Sequence, residues 1–179
     1  LPISRWSPDG RTIAFIAARD LHTDVYLINA DGSGLRKITS DGATRDELAW
    51  GSNGDLFIPT LSSAGWQVER IDARGRAAVV PNSAGVLTIK SAGARGLFAV
   101  KQDDDRLWRL EPTGAVLTTP LIHVSHDTAW APAADGVYHL TGAPGGETVL
   151  RLTTWSGASR DVQSLGMFGQ QHSRAVSPA

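Results

Sequence analysis

"RWSPDGRTIAFIA" occupies residues 5–17, and the fold turns on whether this stretch stands alone. A Trp leads into Ser-Pro-Asp-Gly, and an apolar run follows. Read singly, the Asp-Gly turn invites a metal or phosphate loop. An EF-hand loop needs acidic residues at alternate positions closed by a Glu, and a phosphate loop needs a Gly-rich run feeding a Lys and a helix. Neither pattern is present, so turn chemistry is the expected role. Pro8 presets φ, Asp9 accepts from nearby backbone N–H groups, and Gly10 takes the left-handed corner.

The stretch recurs. Trp50 leads to Gly54 through "GSNG", Trp130 leads to Gly136 through "APAADG", and "SAGARG" reaches Gly96 without a Trp. The steps between these glycines are 44, 42 and 40 residues. A second marker lies between them, in "INADGSG", "IDARGR", "LEPTGA" and "LTTWSGA". Its glycines, Gly32, Gly75, Gly114 and Gly157, step by 43, 39 and 43. Two markers sharing one period define a repeat. Each copy reads as four short strands rich in β-branched and aromatic residues, joined by Gly-bearing turns. No stretch of helical length shows helical periodicity. The expected fold is all-β, a β-propeller of four-stranded antiparallel blades, with about four blades present as part of a larger ring. The expected blades are 1–43, 44–83, 84–124 and 125–166, with a further one starting at 172–179.

Bulk properties bound the rest. The 179 residues carry a net charge of −1 and 20% charged residues. That balance fits a globular chain without a nucleic-acid or membrane-surface footprint. Apolar runs such as "GLFAV" are far too short for a membrane-spanning helix. The absence of Cys removes disulfides, thiolate catalysis and Cys-based zinc sites. The chain opens on Leu1 and closes on "AVSPA", which repeats the start of the opening motif. Both ends are expected to be cuts within a longer polypeptide.

"WSPDGRTIAFIA…DVYLINADGSGLRKIT" resembles the TolB-type, WD40-like (PD40) β-propeller repeat. The likeness is strongest over 5–39, fair over 49–79 and 129–165, and weak over 86–122. It implies rings of six or more blades in one of three bacterial settings. These are periplasmic accessory proteins of the Tol–Pal envelope system, gating propellers of prolyl-oligopeptidase-like peptidases, and sensor halves of membrane-anchored transcriptional regulators. The expected function is a non-enzymatic module for protein binding or sensing, periplasmic in location. The alternative is a substrate-gating propeller, cytoplasmic, whose catalytic domain lies outside this chain. No catalytic residue, metal or cofactor is assigned. The expected partner is a protein or peptide, and self-association is expected if the blade arc is incomplete.

Candidate sites follow from topology. The innermost strand of a blade lines the central channel, and here it precedes each Trp-type position. The channel-mouth candidates are Arg5; Arg45, Asp46 and Glu47; Lys90; His126 and Asp127; and His172 and Arg174. Trp6, Trp50 and Trp130 are expected to pack between blades, and Pro8, Asp9, Gly10, Gly54 and Gly136 to shape turns. "HVSH" at 123–126 would need a bend to bind a metal, because positions three apart in a strand face opposite sides. "DDD" at 103–105 is expected on a solvated loop. No G-x-S-x-G elbow occurs.

Overall fold

The computed structural model describes residues 3–19, 22–118, 121–124, 129–142 and 145–167. These residues form four sheets, each of four antiparallel strands in chain order. Sheet one comprises β1 (Ser4–Trp6), β2 (Thr12–Arg19), β3 (His22–Asn29) and β4 (Arg36–Lys37). Sheet two comprises β5 (Ala49–Trp50), β6 (Leu56–Ser62), β7 (Gly65–Ile71) and β8 (Ala77–Val79). Sheet three comprises β9 (Val86–Ser91), β10 (Leu97–Lys101), β11 (Asp104–Glu111) and β12 (Gly114–Leu117). Sheet four comprises β13 (Trp130–Pro132), β14 (Gly136–Gly142), β15 (Thr148–Thr154) and β16 (Ser159–Ser164). This is the blade pattern the repeat predicts. The chain divides into two compact units, residues 1–126 and 127–179.

In the first unit the register shows how sheets stack. Residues directly opposite across an antiparallel pair share a face. Trp50, Leu56 and Ile71 form one such row, with Ile58 two positions along. This front of sheet two meets Ala14, Ile16, Val25 and Leu27 on the rear of sheet one in a single apolar core. The opposite face of sheet two carries Ala49, Phe57 and Val68, which pack on Ile89, Leu97, Ala99 and Leu110 of sheet three. In this unit the fronts of sheets two and three therefore lie on the rears of sheets one and two. Full burial of each such Leu or Ile contributes about 1.5–3 kcal/mol. The indole Nε1 of Trp50 donates to the Arg5 carbonyl at 3.0 Å, fastening sheet two to β1. β1 lies beside β5 and β5 beside β9, so in the first unit the first strands line up along one side of the stack.

The opening motif behaves as its chemistry dictates. Ser7 Oγ donates to Asp9 Oδ1 at 2.6 Å, and the Arg11 N–H donates to the same oxygen at 3.1 Å. Thr12 N–H donates to Ser7 Oγ, and the Gly10 N–H closes the turn on the Ser7 carbonyl. Gly10 has φ +68°, the left-handed corner that glycine fills without a Cβ clash. In sheet two the same turn is braced by Asn53, whose Oδ1 accepts from the Asp55 N–H. The Trp-less third copy replaces the turn with one 3-10 turn at Gly93–Arg95.

The structure adds detail to two sequence expectations. Gly136 is the first residue of β14 and is not among the positive-φ glycines. A Cβ there would stand 2.3 Å from the Thr153 carbonyl oxygen, so close strand approach demands this glycine. The Asp103–Asp105 run sits at a hairpin tip: Asp103 lies in the two-residue turn from β10, and Asp104 and Asp105 already belong to β11.

A polar brace recurs that the repeat search did not mark. The Val25 N–H on β3 donates to Thr39 Oγ1, and the equivalent Val68 N–H on β7 donates to Ser83 Oγ, both at 2.9 Å. Both hydroxyls come after the short fourth strand has ended, and they fill its place in the ladder. Ser83 is almost fully buried. Ser83→Ala leaves a buried N–H without a partner, and we expect a stability loss of about 1–3 kcal/mol in urea unfolding. A variant within a few tenths of wild type would show that the hydroxyl is dispensable.

Candidate functional site: charged groups at the inner strands

The inner strands of the first unit sort the sequence candidates into three kinds. Arg45 is an internal tie. It is 1% exposed. Its Nη1 donates to Asp41 Oδ1 at 2.8 Å, and its Nη2 donates to Asp41 Oδ2 at 2.7 Å and Glu69 Oε2 at 2.9 Å. Nη1 also reaches the Thr23 and Ala43 carbonyls, and the Arg45 N–H donates to Thr23 Oγ1. The guanidinium thus binds the connection leaving sheet one to strand β7 of sheet two. Its hydrogen bonds pull the Asp41 carboxyl down to about 2. A cation expected to meet a partner is spent inside the fold. Desolvating a guanidinium is tolerated only where several acceptors surround it.

Glu47 and Lys90 are a held pair. Glu47 Oε1 accepts from Lys90 Nζ at 3.0 Å, and its Oε2 accepts from the Ile89 N–H at 2.8 Å. This pair fastens the segment before β5 to β9, and leaves the lysine partly exposed.

Arg5 and Asp46 are the groups left over. Arg5 is exposed and donates only to the neighbouring Ser4 carbonyl, at 3.0 Å. Asp46 is exposed and takes no partner among the described residues. It lines a cleft of about 570 Å³ with Arg45, Thr23 and the apolar Ile3, Phe15 and Ile16. His126, Asp127, His172 and Arg174 lie outside the described residues.

The remaining candidates fall into structural roles. Asp104 accepts from Arg106 Nε at 2.7 Å, from Arg106 Nη2 and from Trp108 Nε1. The Arg106 hydrogen bond holds its carboxyl near 2. Lys101 Nζ sits 3.8 Å from the Trp108 ring centroid, completing a cation–π brace on the same hairpin. His123 Nδ1 lies 3.3 Å from Asp105 Oδ1. Among the described residues no three His, Asp or Glu side chains gather as a metal site. Trp50 packs against the core shared by sheets one and two, and Trp130 is buried, whereas Trp6 is 58% exposed.

The second unit holds a polar chain, running from buried His139 and Thr153 to exposed Ser159, that sequence reasoning passed over. His139 Nε2 meets Thr153 Oγ1 at 3.1 Å, and Thr153 Oγ1 meets Ser159 Oγ at 2.9 Å. These residues sit on neighbouring strands, with no carboxylate in the chain, so the arrangement braces the sheet. Burial pushes the His139 pKa down, and the Arg151 charge adds to this. A depressed histidine means that the unfolded chain binds more protons than the folded one. We therefore expect stability of this unit to rise with pH up to about 6.5 and to fall below it. His139→Gln should flatten that slope in pH-resolved urea unfolding. A slope unchanged in the variant would assign it elsewhere.

No protein-family profile matches the chain. Over 36 residues, 20% of the chain, it is 53% identical to the Tol-Pal system protein TolB of Syntrophus aciditrophicus (strain SB). Over 71 residues, 39% of the chain, it is 35% identical to the uncharacterized peptidase YuxL of Bacillus subtilis (strain 168). These matches span 8% and 10% of the two relatives. Among solved structures, an S511A mutant of puromycin hydrolase complexed with PGG superposes over 92% of the chain at TM-score 0.64 and 16% identity. TolB from Acinetobacter baumannii superposes over 92% at TM-score 0.63 and 17% identity. The chain covers 29% and 43% of those structures. The periodic Trp and Gly markers, the four-stranded sheets, stacked front to rear within the first unit, and these likenesses agree: the chain is of a TolB-like, WD40-like β-propeller type.

Proposed function

We propose that this chain is a rigid, non-catalytic binding module, and that a protein or peptide partner meets it at the inner strands through Arg5, Asp46 and the Glu47–Lys90 pair. The observation that carries the reading is the division of labour among adjacent charges. Arg45 is buried and neutralised, while Asp46 beside it stays exposed and unpaired on an apolar cleft. Groups fixed on strands and on a tied loop lose little entropy when a partner arrives. The TolB likeness supports this reading and a periplasmic location.

The test is selection of a displayed peptide library on the purified chain. Selected peptides should lose at least about tenfold in affinity for an R5E/D46K variant, the loss expected when fixed charges reverse. The chain alone should turn over no peptide or ester substrate. Peptides binding wild type and variant equally would overturn the site, and turnover surviving purification would overturn the non-catalytic role. The peptidase relative and the puromycin hydrolase likeness support a second reading, a substrate-gating propeller in the cytoplasm. An adjoining α/β-hydrolase domain with a G-x-S-x-G elbow in the reading frame would favour it.

A further inference from the structure

The cleft beside Asp46 holds more negative charge than its own cation answers. Its apolar wall lies on the rear of sheet one, the side that packs on sheet two. Ile16 and Ala18 stand two positions apart on that side, with Thr23 opposite Ala18, and Ile3 packs on the same apolar core. Arg45 and Asp46 complete the lining. Arg45 bonds both Asp41 and Glu69, and its side chain has no exposed surface, whereas those two carboxylates keep 51% and 21% of theirs. Glu47 is matched by Lys90. Asp46 is exposed and takes no partner among the described residues. Three carboxylates, Asp41, Glu69 and Asp46, therefore stand against one guanidinium, an excess of two negative charges beside an apolar wall.

An apolar wall beneath surplus carboxylate fits a group with an apolar stem and a cationic head. Lysine and arginine have that form. An anionic group would meet like charge, and a wholly apolar one would cover Asp46 without giving it a donor. Between the two cations, arginine presents a planar fork that binds a carboxylate through two parallel N–H···O bonds. We propose that this cleft seats an arginine side chain of the partner, its methylenes on Ile16 and Ala18 and its guanidinium donating to the Asp46 carboxylate. Arg45 does not oppose this second guanidinium, because its own charge is answered by two carboxylates. The cleft, of about 570 Å³, has room for that side chain and the residues flanking it. The inference names the partner's chemistry at the site proposed above and rests on that reading.

The probe is n-butylguanidinium, with n-butylurea as its uncharged counterpart of the same shape, each titrated into the 179-residue chain and followed by amide NMR shifts. The guanidinium should move the amides of Ala18, Thr23 and Asp46 saturably, with a Kd of roughly 1–10 mM. The urea should bind at least about threefold more weakly, because it cannot form the charged pair. Asp46→Asn should bring the guanidinium down to the level of the urea, and an otherwise unchanged spectrum shows that the variant folds. Salt at about 0.5 M should weaken the guanidinium and leave the urea as it was. Guanidinium and urea binding alike would overturn the proposal, as would undiminished binding to Asp46→Asn or no saturable shift up to about 50 mM. Tighter binding of n-butylammonium than of the guanidinium would overturn arginine in favour of lysine. Peptide selection separates this inference from the reading beneath it. Selected peptides that are sensitive to R5E/D46K but keep full affinity when each arginine is replaced by citrulline would retain the partner site and overturn the arginine seat. Guanidinium binding as expected with no peptide selected would support the seat's preference for a cation and overturn the partner reading.

Discussion

Arg45→Met is expected to destabilise the first unit by about 3 kcal/mol, near the lower end of what removing one partner of a buried ion pair costs. The guanidinium fills its site with side-chain volume that methionine largely replaces, so packing loss is small. What is lost is the set of donors. Glu69 retains only the Thr60 hydroxyl, at 3.1 Å, and Asp41 only the Ala43 N–H, at 3.2 Å. Those carboxylates keep some access to water, which is why the lower end applies. Arg45→Lys should fall between, because one ammonium cannot serve two carboxylates and two carbonyls with the geometry of a planar fork. The acid limb gives an independent readout. Asp41 ionises at about 2 when folded, against an ordinary value of 3.8. A depressed carboxyl stabilises the fold above its ordinary value, and that stability is lost as pH falls through the folded value. Wild type should therefore lose stability between about pH 4 and 2 more steeply than Arg45→Met. Unfolding free energies from urea titration within about 0.5 kcal/mol of each other at neutral pH would refute the role assigned to this tie.

The same residue shows where reading a sequence stops. Trp and Gly markers were legible because turns are local: the positions of Gly10, Gly54 and Gly32 fix chain reversal within a few residues, and each takes positive φ. From the reversals follow the strands, and from the period the blades. The fate of Arg45 was not legible, because Glu69 lies 24 residues away on the strand of another sheet. A charge before an inner strand looks the same whether it faces water or ties two sheets. Ser83 and Thr39 were missed for a similar reason. A hydroxyl after a strand reads as loop, and only the shortness of β4 and β8 turns it into a ladder partner. Trp6 is expected by type to pack between blades, yet it is 58% exposed. A repeat specifies what each position is built to contact, and leaves unstated whether the contact is present. Asp46 and Arg5 stand out only after their neighbours' partners have been counted.

Gly136→Ala carries a second large effect, and comparison with Gly10→Ala isolates its cause. Both glycines end the first turn of their repeat. At Gly10 an added Cβ meets nothing within 4 Å, so the cost is the left-handed backbone alone, about 1 kcal/mol. At Gly136 the Cβ would lie 2.3 Å from the Thr153 oxygen, 2.7 Å from Thr154 Cα and 2.9 Å from Leu152 Cδ1. Two of those are backbone atoms of β15, paired with β14 along its whole length from Gly136 to Gly142. Neither can turn aside as a side-chain tip would. The strands must separate at their start, which strains the Gly136–Thr154 pairing and the packing of buried Val137 beside it. The expected cost is about 3 kcal/mol, the upper part of the range for overpacking a core. Because the damage is confined to sheet four, amide hydrogen exchange should locate it. Protection should drop across β14 and β15 and stay at wild-type levels in sheets one to three. Gly10→Ala should instead lower protection modestly at the β1–β2 turn. Equal losses in the two variants would mean that Gly136 is there for its backbone angles after all, and that the strands can part without penalty.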